Sequence, residues 1–140
     1  MAVWKKTAIT IVLLAVCALL YGIYLYTRKP ADVRVQTPVA EMTAAALVGD
    51  FSADETAAGK KYIDHAIVVK GKIAEIKTDT NGEATVILES GDPLSSVTCS
   101  FYDDEMSSVQ KLKVGQEVSI KGICTGKLAD VILNKCSIED

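Results

Sequence analysis

Three cysteines, Cys99, Cys124 and Cys136, are the side chains whose type most readily does chemistry in this 140-residue chain. They stand at intervals of 25 and 12 residues, no C-x-x-C occurs, and the one histidine, His65, lies well upstream. Zinc sites use closely spaced Cys or His pairs, so this is not a zinc pattern. Two readings remain. In an oxidising compartment Cys124 and Cys136, on successive strands, are the natural disulfide candidate. Alternation opposes that pairing: with Val118 and Ile120 inward Cys124 points inward, whereas with Val131 and Leu133 inward Cys136 points outward unless a bulge intervenes. The other reading makes them buried free thiols packed as small apolar residues, a role that suits Cys99. Neither makes a catalytic nucleophile, because no base is positioned by the sequence to generate a thiolate.

The acidic clusters are no more reactive. Asp79-Thr-Asn81-Gly82-Glu83 lacks the third ligand and the closing acid of a calcium loop, and Asn81-Gly82 is a strong hairpin signal instead. Asp103-Asp104-Glu105 suits the first turn of a short helix, where acids face free amides and the positive dipole end, better than a metal site. No phosphate-cradling glycine loop, H-E-x-x-H or G-x-S-x-G is present. The expectation is a protein that is not an enzyme, with no catalytic residue, cofactor or metal.

The elements behind these residues begin with charge. The chain holds 15 Lys+Arg against 18 Asp+Glu, a net charge of -3. Residues 1–29 contain no acid and carry Lys5, Lys6, Arg28 and Lys29, which leaves the remainder at net -7. A simple basic nucleic-acid-binding protein is thereby excluded. Between the bases, Thr7 to Tyr26 has no charged side chain over 20 residues, and at about 1.5 Å per residue such a helix reaches roughly the 30 Å of a bilayer core. Trp4, Tyr21, Tyr24 and Tyr26 supply aromatic residues near both ends, and no small-x-small cleavage site follows. Residues 1–29 therefore read as an uncleaved signal-anchor in the cytoplasmic (inner) membrane, single-pass, with the C-terminal body periplasmic or otherwise extracytoplasmic. Cys17 reads as lipid-facing filler.

Residues 30–40, bracketed by Pro30 and Pro38, read as an extended spacer. From Glu41 the composition turns alanine-rich, with Leu47/Phe51 and Ala58/Tyr62 as i,i+4 pairs on one helical face. Ser52-Ala-Asp-Glu55 has the capping-box form and predicts a fresh helical start near Ser52. Alternation then predicts strands at Ala66–Thr78, with Gly71 permitting a bend or bulge, and at Ala84–Glu89, Val97–Tyr102, Glu117–Thr125 and Asp130–Ser137. A short helix from Asp103 separates the third and fourth. The fold class is thus mainly β: a five-stranded OB-type barrel (β-β-β-α-β-β) over residues 41–140, preceded by a helical segment and one N-terminal transmembrane helix.

Leu47, Phe51, Ala58, Lys61-Tyr62, Val69-Lys70-Gly71, Val97-Thr-Cys99-Ser-Phe101, Lys113-Val-Gly115-Gln116, Val118–Gly122, Cys124-Thr-Gly126 and Asp130-Val-Ile-Leu-Asn-Lys-Cys136-Ser together resemble the tRNA_anti-like family of bacterial OB-fold proteins. The resemblance covers roughly residues 43–138, and many relatives carry one N-terminal membrane segment. It implies the fold strongly and brings no catalytic residue with it. Its name suggests a likeness to anticodon-binding domains.

An OB-fold binds single strands with a basic groove and aromatic platforms on its second and third strands. Here the corresponding candidates are Thr85, Ile87, Glu89, Thr98, Ser100 and Tyr102, with Asp79, Glu83 and Lys127 in loops. Only Tyr102 is aromatic. Residues 66–140 hold eight lysines, no arginine and twelve acids, so this region repels phosphate at long range. Lys70, Lys72, Lys77 and Lys121 are a stripe of the kind that usually forms a solvated face. The expected function is a membrane-tethered OB-fold module, held by residues 7–26, that binds a protein or peptide through Thr85, Ile87, Thr98, Ser100, Tyr102 and Lys127. The alternative is a nucleic-acid-binding OB domain, which the acidic balance disfavours.

Overall fold

A computed structural model of the chain describes residues 2–27 and 32–139, and these belong to two units divided at Ala31. Arg28, Lys29 and Pro30, to which the sequence assigned a basic flank and the start of a spacer, lie outside the described residues.

The first unit is one helix, α1 (Ala2–Thr27), with none of its residues buried by protein. It is long and apolar enough to cross a membrane. Its hydroxyls are satisfied within the helix: Thr7 Oγ1 donates to Trp4 O at 2.8 Å, Thr10 Oγ1 to Lys6 O at 2.9 Å and Thr27 Oγ1 to Ile23 O at 2.8 Å.

The second unit contains a short strand β1 (Ala40–Thr43), helices α2 (Ala44–Ala53) and α3 (Glu55–Tyr62), and strands β2 (Ala66–Thr78), β3 (Ala84–Asp92) and β4 (Ser95–Phe101). A single-turn helix α4 (Met106–Val109) follows, and β5 (Glu117–Lys127) and β6 (Val131–Glu139) complete the unit. The sheet order is β1-β2-β3-β4-β6-β5, and β2 also pairs with β5. Strands β2 to β6 therefore close on themselves, with β4 and β6 parallel and the other barrel pairs antiparallel. That is the five-stranded OB-fold barrel.

Strand β2 serves both halves of the closure. Ala66–Lys72 pair with Ile123–Glu117 of β5, and Ile73–Thr78 with Leu88–Ala84 of β3. The hand-over falls between Lys72 and Ile73, just past Gly71, where a Cβ would meet the Ala44 Cβ at 3.2 Å, and the register slips between Ile73 and Glu75. Glycine thus admits the first turn of α2, while the bulge lies just beyond it. Alternation holds on β3 and β4: Ala84, Val86, Leu88, Val97, Cys99 and Phe101 are buried among Leu47, Phe51 and Tyr62. In the β2–β3 turn only Gly82 of the Asn-Gly pair has positive φ (85°), with its amide donating to Asp79 O. This is a type I turn closed by a left-handed glycine rather than a two-residue hairpin.

Three expectations are corrected. Helix α2 runs through Ala53, and the fresh start is capped by Asp54, whose Oδ1 accepts from Ala57 N–H at 3.0 Å, rather than by Ser52. Asp54 prevails because α3 begins at Glu55, so Asp54 stands three residues before the Ala57 amide. Residues 40–43, assigned partly to a spacer and partly to helix, form β1, parallel to Ile67–Lys70. From Asp32 the supposed spacer is part of the body: Val33 is fully buried, Val33–Val35 form a 3-10 turn, and Val39 N–H donates to Ala66 O at 2.9 Å.

Candidate binding face

Strands β3 and β4 set the outer face in register, with Thr85 opposite Ser100 and Ile87 opposite Thr98. The pairing extends on one side to Lys77 and Glu75 of β2 and on the other to Ile132 of β6. All four predicted face residues are half-buried, because alternate positions on these strands fill the core. The Thr98 hydroxyl is already engaged by Asp130 at 3.4 Å, and Asp130 also accepts from Ser96 N–H at 2.9 Å, fixing the β5–β6 loop.

The fifth predicted residue, Tyr102, is covered by the chain itself. Its hydroxyl accepts a hydrogen bond from Val33 N–H at 3.2 Å, and the Arg34 guanidinium stands 4.8 Å from the ring centroid. Arg34 is held in turn by Asp32 at 2.6 Å, Asp104 at 3.0 Å and Glu105 at 3.3 Å. These hydrogen bonds, Asp32 first and then Asp104, raise the Arg34 pKa well above its ordinary value, while the bonds from Arg34 lower that of Asp32. Beside this cover lies a cleft of about 370 Å³ lined by Thr85, Ser100 and Tyr102, with Glu83, Asp103 and Lys135 as its charges. Sequence reasoning missed Arg34. The available signal was a lone arginine between two valines in a segment otherwise read as a spacer.

The sixth residue, Lys127, belongs elsewhere. It reaches Ser52 Oγ at 3.2 Å and lines a separate cleft of about 690 Å³ between α3 and the β5–β6 hairpin. The predicted set is therefore divided between two hollows. The lysine stripe is likewise broken up: Lys70 pairs with Glu41 at 2.5 Å and Lys77 with Glu75 at 3.7 Å. Lys121 is not on a solvated face. It is 7% exposed, with Nζ donating to Arg34 O at 3.3 Å and lying 3.7 Å from Glu139.

Cys99, Cys124 and Cys136 are fully buried free thiols. Cys124 stands opposite Leu133, not Cys136, so the register does not join the candidate disulfide pair. Lys135 adopts a left-handed conformation (φ 53°) where the β6 register slips, and this turns Cys136 inward. Its sulfur then lies over Gly122, where a Cβ would approach it to 2.6 Å. Burial, with the Cys99 thiol alongside, pushes the Cys136 pKa well up, and burial raises that of Cys124. Both are held as protonated thiols, which are poor nucleophiles. Among the described residues no three His, Cys, Asp or Glu side chains are grouped to hold a metal ion.

The tRNA_anti-like family model matches residues 1–138. The chain belongs to the tRNA_anti-like family. Of solved structures, this family member is similar to a proposed nucleic acid-binding lipoprotein from Klebsiella pneumoniae subsp. pneumoniae, with 16% identity and a TM-score of 0.61 over 80% of this chain and 100% of the other. It is also similar to the S. pombe Stn1–Ten1 complex, with 18% identity and a TM-score of 0.44 over 53% and 56% of the two chains. At such identities the Klebsiella likeness speaks for the fold. No curated protein matches the chain.

Proposed function

We propose that this tRNA_anti-like protein is a non-enzymatic binding module, tethered to the cytoplasmic (inner) membrane by α1, whose extracytoplasmic OB barrel takes a protein or peptide partner. The observation that carries this reading is the covering of Tyr102. An OB surface grips bases by stacking them on aromatic side chains, and the one aromatic of this face has Val33 on its hydroxyl and Arg34 over its ring. Glu83 and Asp103 on the neighbouring cleft add charge of the wrong sign for phosphate. The tether is supported by the length and apolar composition of α1.

The second reading, a nucleic-acid-binding OB domain, is favoured by the fold shared with the Klebsiella lipoprotein, which is itself proposed to bind nucleic acid. Titration of the full chain in detergent with a random single-stranded oligonucleotide at low salt separates the two. No binding is expected. Tight binding that weakens steeply with salt overturns the first reading. Orientation is tested by maleimide access, in intact cells, to a cysteine introduced at exposed Val35; labelling only after the membrane is breached overturns the extracytoplasmic placement.

A further inference from the structure

The cleft between α3 and the β5–β6 hairpin lies apart from the β3–β4 face. Its apolar wall includes Phe51, Ile63, Leu128 and Ile132. Two glycines, Gly59 and Gly126, line it. A Cβ at Gly59 would stand 3.3 Å from Ile63 Cδ1, and one at Gly126 would stand 3.5 Å from the same atom. Gly59 is inside a helix, where glycine is a destabilising choice, and Gly126 has φ 125°.

At the mouth of this cleft is Leu128, 83% exposed, and on the β3–β4 turn is Leu94, 84% exposed. The two turns are bound together, since Ser95 Oγ donates to Ala129 O at 3.0 Å and Ser96 N–H to Asp130 at 2.9 Å. Among the described residues of the body these leucines are the most exposed large apolar side chains. Single exposed apolar residues are ordinary, but two on joined turns, one of them lining a cleft with an apolar wall, form an anchor patch.

The cleft also carries a net positive charge. Lys60 and Lys127 line it, and neither has a carboxylate partner among the described residues, while Glu55 is its single acid. We propose that this cleft and its two leucine turns are the docking surface for a protein partner, taking a segment in which an apolar side chain is flanked by carboxylates. The proposal rests on the reading of the body as a protein-binding module and moves its site from the β3–β4 face to the α3 side. An anionic membrane surface suits the patch less well, because Asp92, which caps the Leu94 amide at 2.8 Å, and Asp130 would be pressed against headgroups of like charge.

Site-specific photocrosslinking of the full chain in cells, with benzoylphenylalanine at Leu128 and separately at Thr85, tests it. The expected result is a polypeptide adduct at Leu128 whose crosslinked peptide carries Asp or Glu beside an apolar residue. Its yield should fall about tenfold in the Lys60→Glu/Lys127→Glu chain and hold in a Lys111→Glu/Lys113→Glu control. No adduct at Leu128, a lipid adduct there, or a yield indifferent to the lysines overturns the proposal. A polypeptide adduct at Thr85 alone overturns it while leaving the protein-binding reading intact. A nucleic-acid adduct at Thr85 overturns both.

Discussion

The Arg34 guanidinium lies 4.8 Å from the centre of the Tyr102 ring, across 68 residues of sequence. Three carboxylates fix it there, and the backbone on either side of its Cα is also held: Val33 N–H donates to the Tyr102 hydroxyl, and the carbonyl of Arg34 accepts from Lys121. The N-terminal segment of the body is therefore a built cover over the Tyr102 ring.

Removing the cover tests whether it alone keeps nucleic acid away. In Arg34→Ala the Tyr102 ring is freed, but the acidic balance of residues 66–140 remains. Oligonucleotide binding by the full chain in detergent is expected to stay undetectable by fluorescence anisotropy. A gain of salt-sensitive binding in this variant would show Arg34 to be a lid over a nucleic-acid site.

Acid should loosen the same segment. The Asp32 pKa is lowered in the folded protein, mainly by its hydrogen bonds with Arg34. A carboxylate with a depressed folded pKa contributes stability that is present above its unfolded value of about 4 and is lost as pH falls through the folded value. Brief proteolysis with pepsin, which works at low pH, is expected to cut near Val33–Val35 faster as pH falls from 4 toward 2, and Asp32→Asn should show this susceptibility already at the upper end. Equal susceptibility of both chains across the range would remove Asp32 as the cause.

At the alkaline end the responsible group is Tyr62. Its ring is buried and its hydroxyl donates to Asp50 Oδ2 at 2.6 Å, joining α3 to α2. Desolvation first, then the bond to Asp50, raises its pKa. The neutral form is thus favoured by folding, so its contribution is full below the unfolded value of about 10 and is lost as pH rises through the higher folded value. Tyr62→Phe removes that alkaline loss and costs about 1 kcal/mol at neutral pH. Urea titrations at pH 7 and above 10 check both.

These groups differ in how far the sequence disclosed them. The strands were legible because Ala84, Val86, Leu88 and Val97, Cys99, Phe101 repeat with the pleat, and the i,i+4 pairs Leu47/Phe51 and Ala58/Tyr62 marked the buried helix faces. The cover was not, because what holds Val33 and Arg34 lies some seventy residues downstream, and no local periodicity reports such a contact. Strand β1 is four residues long and pairs parallel with a distant strand, so its alternation of Ala40 and Met42 with Glu41 and Thr43 is too short to stand out beside the alanine-rich helix that follows. The binding face was legible as a register and not as a site: Lys127 shares a strand pair with Val131 but opens on the α3 side. Cys136 turned inward because Lys135 takes a left-handed conformation, which a lysine does not advertise.

That inward turn has a steric consequence at Gly122. An added methyl group there would stand 2.6 Å from Cys136 Sγ, 3.2 Å from Leu133 Cβ and 3.3 Å from Asn134 O. Gly122→Ala is expected to destabilise the body by about 1–3 kcal/mol through overpacking. Pairing it with Cys136→Ala relieves the closest of the three contacts, so the double variant should be more stable than the sum of the two single losses predicts. Strict additivity in urea denaturation would place the Cys136 sulfur away from Gly122.

The same packing fixes the chemistry of the thiols. Cys99 and Cys136 lie side by side and Cys124 opposite Leu133, all fully buried, and burial holds Cys124 and Cys136 protonated. A thiol reacts as its thiolate and must meet its reagent, so alkylation of the native body should proceed only through opening of the barrel. Iodoacetamide is expected to leave all three unmodified in native buffer and to label all three in denaturant, with the same mass shift whether or not reductant is added first. A shift larger by two alkyl groups after reduction would reveal a disulfide: one between the neighbouring Cys99 and Cys136 fits the present register, whereas one between Cys124 and Cys136 requires β6 to bring Cys136 opposite Cys124 in place of Leu133.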